Sequence, residues 1–158
     1  MLHVVLVEPE IPPNTGNAAR MCLAAGVRLH LIEPLGFQID DRQLRRAGMD
    51  YWKLCDIHYW PDLSAWAAAH PKNRKWYFTT KTDRVYWDAT FADGDALIFG
   101  KETRGLPESL LTANSEQLLT IPMTPEARSL NLGTSVGIAT YEALRQIKME
   151  SRLPDRCV

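Results

Sequence analysis

The segment "NTGNAAR", residues 14–20, follows the apolar run "LHVVLV" (2–7) and the turn "EPEIPP" (8–13). Strand, short turn, then helix is where an α/β protein keeps a phosphate-binding loop. This one carries a single glycine, Gly16, where a dinucleotide fingerprint needs three, and it closes on Arg20 where a helix should turn apolar. The fold has to be read from what alternates with this segment, and the function from what its arginine can do.

Working outward, "ALIFG" (96–100) is a second short, continuous apolar run of the kind that forms strands buried on both faces of a parallel sheet. "RLHLIE" (28–33), "CDIHYW" (55–60), "KWYFTT" (75–80) and "QLLTIP" (117–122) read as the remaining strands. Helices are signalled between them. Asn14 reads as the cap of a helix ending at Gly26, Asp62 as the cap of "LSAWAAAH", and Pro107 as the first residue of a helix to about Thr112. The longest helix is expected to start near Gly133 or Thr134 and to run through "SVGIATYEALRQIKM". The predicted fold class is α/β, a mostly parallel sheet with helices on both faces, in one domain over 1–158. Ligands in such sheets bind beyond the carboxyl ends of the strands.

Composition narrows the chemistry. Cys22, Cys55 and Cys157 are widely spaced and odd in number, and His3, His30, His58 and His70 are scattered, so neither a disulfide framework nor a metal site is expected. A reducing cytoplasm is the expected location, with no membrane span and no secretory signal. The net charge of −1 hides two basic runs, 42–53 and 70–84, which predict a basic end to the molecule. Trp60, Trp66 and Trp76 are expected in the core.

Three loops after strands, 8–20, 100–107 and 121–135, hold more special residues than a connection requires. In "GKETRGLP" the glycines Gly100 and Gly105 allow φ > 0 or close backbone approach, with the Glu102 carboxylate between them. "IPMTPEARSLNLGTS" leads small and polar side chains into a helix N-terminus. The chain has no GxxxxGK[ST], GxGxxG or GxSxG, so nucleotide hydrolysis, dinucleotide redox chemistry and a hydrolase elbow are unsupported.

In order and spacing, these three loops resemble the three motifs of the SPOUT-class RNA 2′-O-ribose methyltransferases, and the resemblance covers essentially the whole chain. "EPEIPPNTGN", "DDRQLRRAGMDYW" (40–52) and the lack of an appended RNA-binding domain resemble the minimal members that act on the wobble nucleotide, position 34, of certain leucine tRNAs. The resemblance implies a C-terminal trefoil knot and an S-adenosylmethionine site formed by Phe78, Thr79, Gly100, Glu102, Ile121, Ser129 and Leu130. It also implies a homodimer packed through the first and last helices, and no metal.

It implies roles as well. Arg20 would sit at the reacting ribose, Asn14 would brace the loop, and Glu102, Ser129 and Asn131 would orient Arg20 and the substrate. A guanidinium is a donor and not a base, so Arg20 is expected to hold the flanking phosphate and the developing oxyanion, the proton leaving to water or phosphate. Few charges besides Glu102, Arg104 and Arg128 lie near the site, which suits a dry pocket. Arg42, Arg45 and Arg46 fall at i, i+3, i+4, so a helix over 40–47 would align them on tRNA phosphates of the anticodon stem-loop, with Tyr51 and Trp52 beside them. Two alternatives remain open: methylation of another tRNA or rRNA position, and a non-catalytic RNA-binding protein of the same fold.

Overall fold

The computed structural model describes residues 1–38 and 50–147. In chain order its elements are β1 (His3–Val7), α1 (Pro12–Ala25), β2 (Arg28–Ile32), β3 (Ile57–Trp60), α2 (Leu63–Ala69), β4 (Lys75–Phe78), β5 (Ala96–Phe99), α3 (Glu108–Ala113), β6 (Leu118–Leu119) and α4 (Leu132–Ile147). The strands form one sheet in the order β3-β2-β1-β5-β4-β6, and every pairing is parallel. The proposed helix over 40–47, with Arg42, Arg45 and Arg46, lies outside the described residues.

Alternation along β1 sorts the core into two layers. Leu2, Val4 and Leu6 pack with Ala18, Cys22, Val136 and Ala139 of α1 and α4, while Val5 and Val7 face Trp66 of α2 and Leu111 of α3. The sheet is therefore covered on both faces. β1 feeds α1 on one face, and its neighbour β5 feeds α3 on the other. Their carboxyl ends thus flank a topological switch point, where the diverging chains leave a crevice.

Local signals were met with three shifts. Gly26 caps α1 in the left-handed region at φ 64°, and the Asp62 carboxylate accepts the Ala65 N–H at 2.8 Å. Asn14 is not a cap: Ile11 holds that place and Pro12 and Pro13 open the helix, since the first N–H groups have no intrahelical acceptor to lose. Pro107 is likewise the cap of α3 and not its first residue. The strand expected over 117–122 shortens to Leu118–Leu119, because Thr120 turns to bond Arg84 and Tyr86 backbone.

Candidate active site

A cavity of about 610 Å³ opens at the switch point. Its floor is apolar, with Phe78 and Phe99 stacked at 4.7 Å between ring centroids and Leu106 and Leu132 beside them. Its walls are the segments that follow β4, β5 and β6.

The middle wall depends on its glycines in two ways. Gly105 has φ 67°, which lets the chain reverse so that its N–H bonds Lys101 O at 2.8 Å. Gly100 has no unusual φ, but a Cβ there would collide with the Gly105 and Leu106 backbone. The close approach foreseen at Gly100 is thus to its own loop.

One hydrogen-bond chain ties the three loops together, and its orientation is set at one end. Asn131 caps α4, its Oδ1 accepting the Thr134 N–H at 3.2 Å, so its Nδ2 is free to donate to Asn14 Oδ1 at 2.8 Å. Asn14 must then present Nδ2, which donates to Glu102 Oε1 at 3.0 Å. The Glu102 carboxylate also accepts the Glu10 and Ile11 N–H groups, at 2.8 and 3.2 Å. A second clasp runs the opposite way: Glu10 accepts from the Thr103 amide and hydroxyl, bonds that hold its carboxyl below the usual range. Lys101 pairs with Glu8, itself at φ 50°.

Phe78, Thr79, Gly100, Glu102, Ile121, Ser129 and Leu130 all line this cavity, as do Asn14 and Asn131. Arg20 does not. Six residues beyond Asn14 on α1, it points about 240° around the helix and lies about 9 Å along it, exposed, with its guanidinium 5.8 Å from the Tyr51 ring centroid. Within the chain, then, Glu102 and Asn131 orient Asn14 and not Arg20. Sequence reasoning missed the Glu10–Thr103 clasp. Its only signal was the spacing of acids in "EPE" before the helix.

The basic run 70–84 is largely engaged: Arg74 pairs with Asp95, Lys81 with Glu108, and Arg84 bonds Glu116 O. Trp66 is fully buried and Trp76 nearly so, whereas Trp60 is half-buried.

A second polar cluster lies on the α2 face of the sheet, around the amino end of β1 and the middle of β2. The histidines scattered in sequence are gathered by the fold: His3, His30 and His70 bring ring nitrogens within 4.8 Å of one another, with the His58 ring 5.5 Å from that of His30 and tilted to it. Trp60 fixes the protons, since an indole can only donate. Trp60 Nε1–H donates to His30 Nδ1 at 3.0 Å, so the His30 proton sits on Nε2 and is donated to His3 Nδ1 at 2.8 Å. His70 Nδ1–H donates to Trp66 O at 2.9 Å. A cation ligated by His30 Nε2 would need the proton on Nδ1, against the Trp60 N–H. Burial lowers the pKa of His3 to about 4 and of His30 to about 3, so both rings are neutral.

Residues 1–141 match the model of the SpoU rRNA Methylase family. The chain belongs to that family. It is 49% identical over 148 residues to a tRNA (cytidine(34)-2'-O)-methyltransferase of Escherichia coli (strain K12), covering 93% of this chain and 94% of the relative. A solved structure described as "Structural insights into the 2-OH methylation of C/U34 on tRNA" superposes with a TM-score of 0.87 at 45% identity, covering 96% of this chain and 98% of the other. An AdoMet-bound rRNA methyltransferase from Sinorhizobium meliloti gives 0.78 at 25% identity, over 91% of this chain and 56% of its own. The resemblance read from the three loops, and the α/β parallel sheet expected with it, both hold.

Proposed function

We propose that this chain methylates the ribose 2′-oxygen of the wobble nucleotide, position 34, of leucine tRNAs, using S-adenosylmethionine and working as a cytoplasmic homodimer. The observation that carries the reading is the Glu102–Asn14–Asn131 chain, which joins the three loops around one cavity. Relatives similar across nearly their whole length are tRNA position-34 methyltransferases by name, and an AdoMet-bound structure is among the similar folds.

The cavity suits the cofactor. Its stacked Phe78 and Phe99 floor can bury an apolar ring, and the rim at Thr79, Gly100, Ile121, Ser129 and Leu130 offers backbone and hydroxyl partners. S-adenosylmethionine supplies an electrophilic methyl group on a sulfonium. Glu102, with its oxygens committed to Glu10, Ile11 and Asn14, holds the loops in register and stays away from the reacting atoms. Asn131 fixes the start of α4, and Ser129 lies open at the rim to meet the ribose. No metal enters this scheme.

Arg20 acts from outside its own cavity. Ile11 and Leu23 of the α1 segment and Tyr141 of α4 are exposed apolar residues on helices that pack together, which supports a dimer through this face. Arg20 on α1 then serves ribose and phosphate of RNA spanning the two copies, as a fixed donor to the developing oxyanion while the hydroxyl proton leaves to water or phosphate. Arg42, Arg45 and Arg46 contact the anticodon stem-loop. The trefoil knot belongs to the same reading, supported by the return of 120–135 across the β5 loop after β6 pairs with β4.

Incubation with methyl-labelled S-adenosylmethionine and total tRNA, followed by mass-spectrometric mapping, tests this. Label on the 2′-oxygen of nucleotide 34 in leucine tRNAs is expected. Label elsewhere gives a different substrate, and no label in any RNA contradicts the enzyme.

A further inference from the structure

We propose that Arg104 and Arg128 together grip a phosphate of the RNA strand at the mouth of the cavity, an inference that rests on the methyltransferase reading above. The two residues come from different loops, after β5 and before α4, and both line the cavity while their side chains are exposed.

What distinguishes them is that every other charged residue lining the cavity is engaged. Lys101 is paired with Glu8 and Lys81 with Glu108. The oxygens of Glu102 are taken by Glu10, Ile11 and Asn14, and those of Glu10 by Thr103. Glu10 feels the charge of Arg104 but makes no bond to it. Among the described residues, Arg104 and Arg128 have neither an ion pair nor a hydrogen bond. Two guanidiniums from different loops thus line one opening without a bonded partner, while the other charged residues that line it are engaged.

An anion entering the opening would meet both guanidiniums. Two sources exist: the carboxylate of the cofactor's methionine part, and an RNA phosphodiester. The structure favours the phosphodiester. The cofactor also carries a sulfonium and an ammonium, both repelled by neighbouring guanidiniums, and a buried carboxylate would call for a donor at the floor. These arginines stand at the solvent-facing rim, where an RNA strand has to lie for its ribose to enter. Planar guanidinium forks match phosphate oxygens in a bidentate way that an ammonium cannot.

The test compares wild type, R104A/R128A and R104K/R128K, each checked for an unchanged circular dichroism spectrum and melting temperature. Affinity for S-adenosylmethionine alone is read by calorimetry, and affinity for a synthetic anticodon stem-loop RNA is read as a function of salt. In the alanine pair the cofactor Kd should stay within about twofold, while the slope of log K against log salt should fall by about 0.7, the value for one phosphate contact on a single strand. The lysine pair should restore the slope and leave RNA affinity below wild type. A loss of cofactor affinity in the alanine pair with an unchanged salt slope would assign the arginines to the cofactor carboxylate and overturn the proposal. No change in either reading would overturn it too, leaving the wild-type methylation result intact. If wild type neither binds nor methylates RNA, the enzyme reading and this inference fall together.

Discussion

The two polar clusters of this domain, one at the carboxyl ends of the strands and one on the α2 face around the amino end of β1, are built on opposite plans. At the carboxyl ends, Glu102, Asn14 and Asn131 bond one another across loops and leave a cavity of about 610 Å³ in front of them. Around the amino end of β1, His3, His30 and His70 pack ring against ring, His70 stacking on the buried Trp66 at 5.0 Å. Polar residues that line a void can work on a ligand. Polar residues that pack and bond within the core hold a fold, here with His30 bonded to His3 and Trp60 across three strands and His70 stacked on Trp66 of α2.

Breaking each cluster should therefore move different quantities. Trp66→Ala removes the largest fully buried side chain and leaves His70 without its stacking partner, so stability should drop by about 3–5 kcal/mol in denaturant unfolding. Cofactor affinity of the folded fraction should not change. Arg20→Ala should do the reverse, with an unchanged melting temperature and turnover lowered roughly 10²–10³-fold, the scale for one preorganised donor. Arg20→Lys should not rescue it, because the planar fork is lost. Full rescue by lysine would reduce Arg20 to a point charge.

Acid sharpens the contrast. His3 and His30 have folded pKa values depressed from 6.5 to about 4 and about 3, so the unfolded chain takes up protons that the folded chain refuses. Stability is fully present above pH 6.5 and is lost as pH falls from there towards 4, with a slope approaching two protons. Melting temperatures across that range check it, and a flat profile would contradict the histidine network. Trp60→Phe gives the smallest effect. Removing the indole donor to His30 should cost about 1 kcal/mol at pH 7.5, yet soften the acid loss, because His30 can then accept a proton on Nδ1.

The two clusters also differ in how far sequence revealed them. Strands and helices alternate along the chain, and the three loops could be picked out by Gly100, Glu102, Ser129 and Asn131 before any coordinates existed. Glycines, prolines and polar residues crowd into those three segments, which is why the segments stand out in sequence, although the bonds between them do not. The histidine network has no local signature: His3 meets His30 only because β1 and β2 pair in parallel, His3 opposite Arg28 and Val5 opposite His30, and His70 arrives from the end of α2. Asn14 failed as a cap for a related reason. Its amide answers Glu102, 88 residues away, and the prolines before it start the helix unaided. Arg20 lies away from Glu102 within the chain because a helix turns about 100° per residue, a displacement that a motif written in one line does not display.

Hydrogen exchange of the protein with and without saturating S-adenosylmethionine tests the division most directly. The account predicts slowed exchange at residues 79–81, 100–106 and 120–135, and none at 28–30, 57–60 or 66–70. Protection centred on the histidine cluster, with the three loops unchanged, would contradict it.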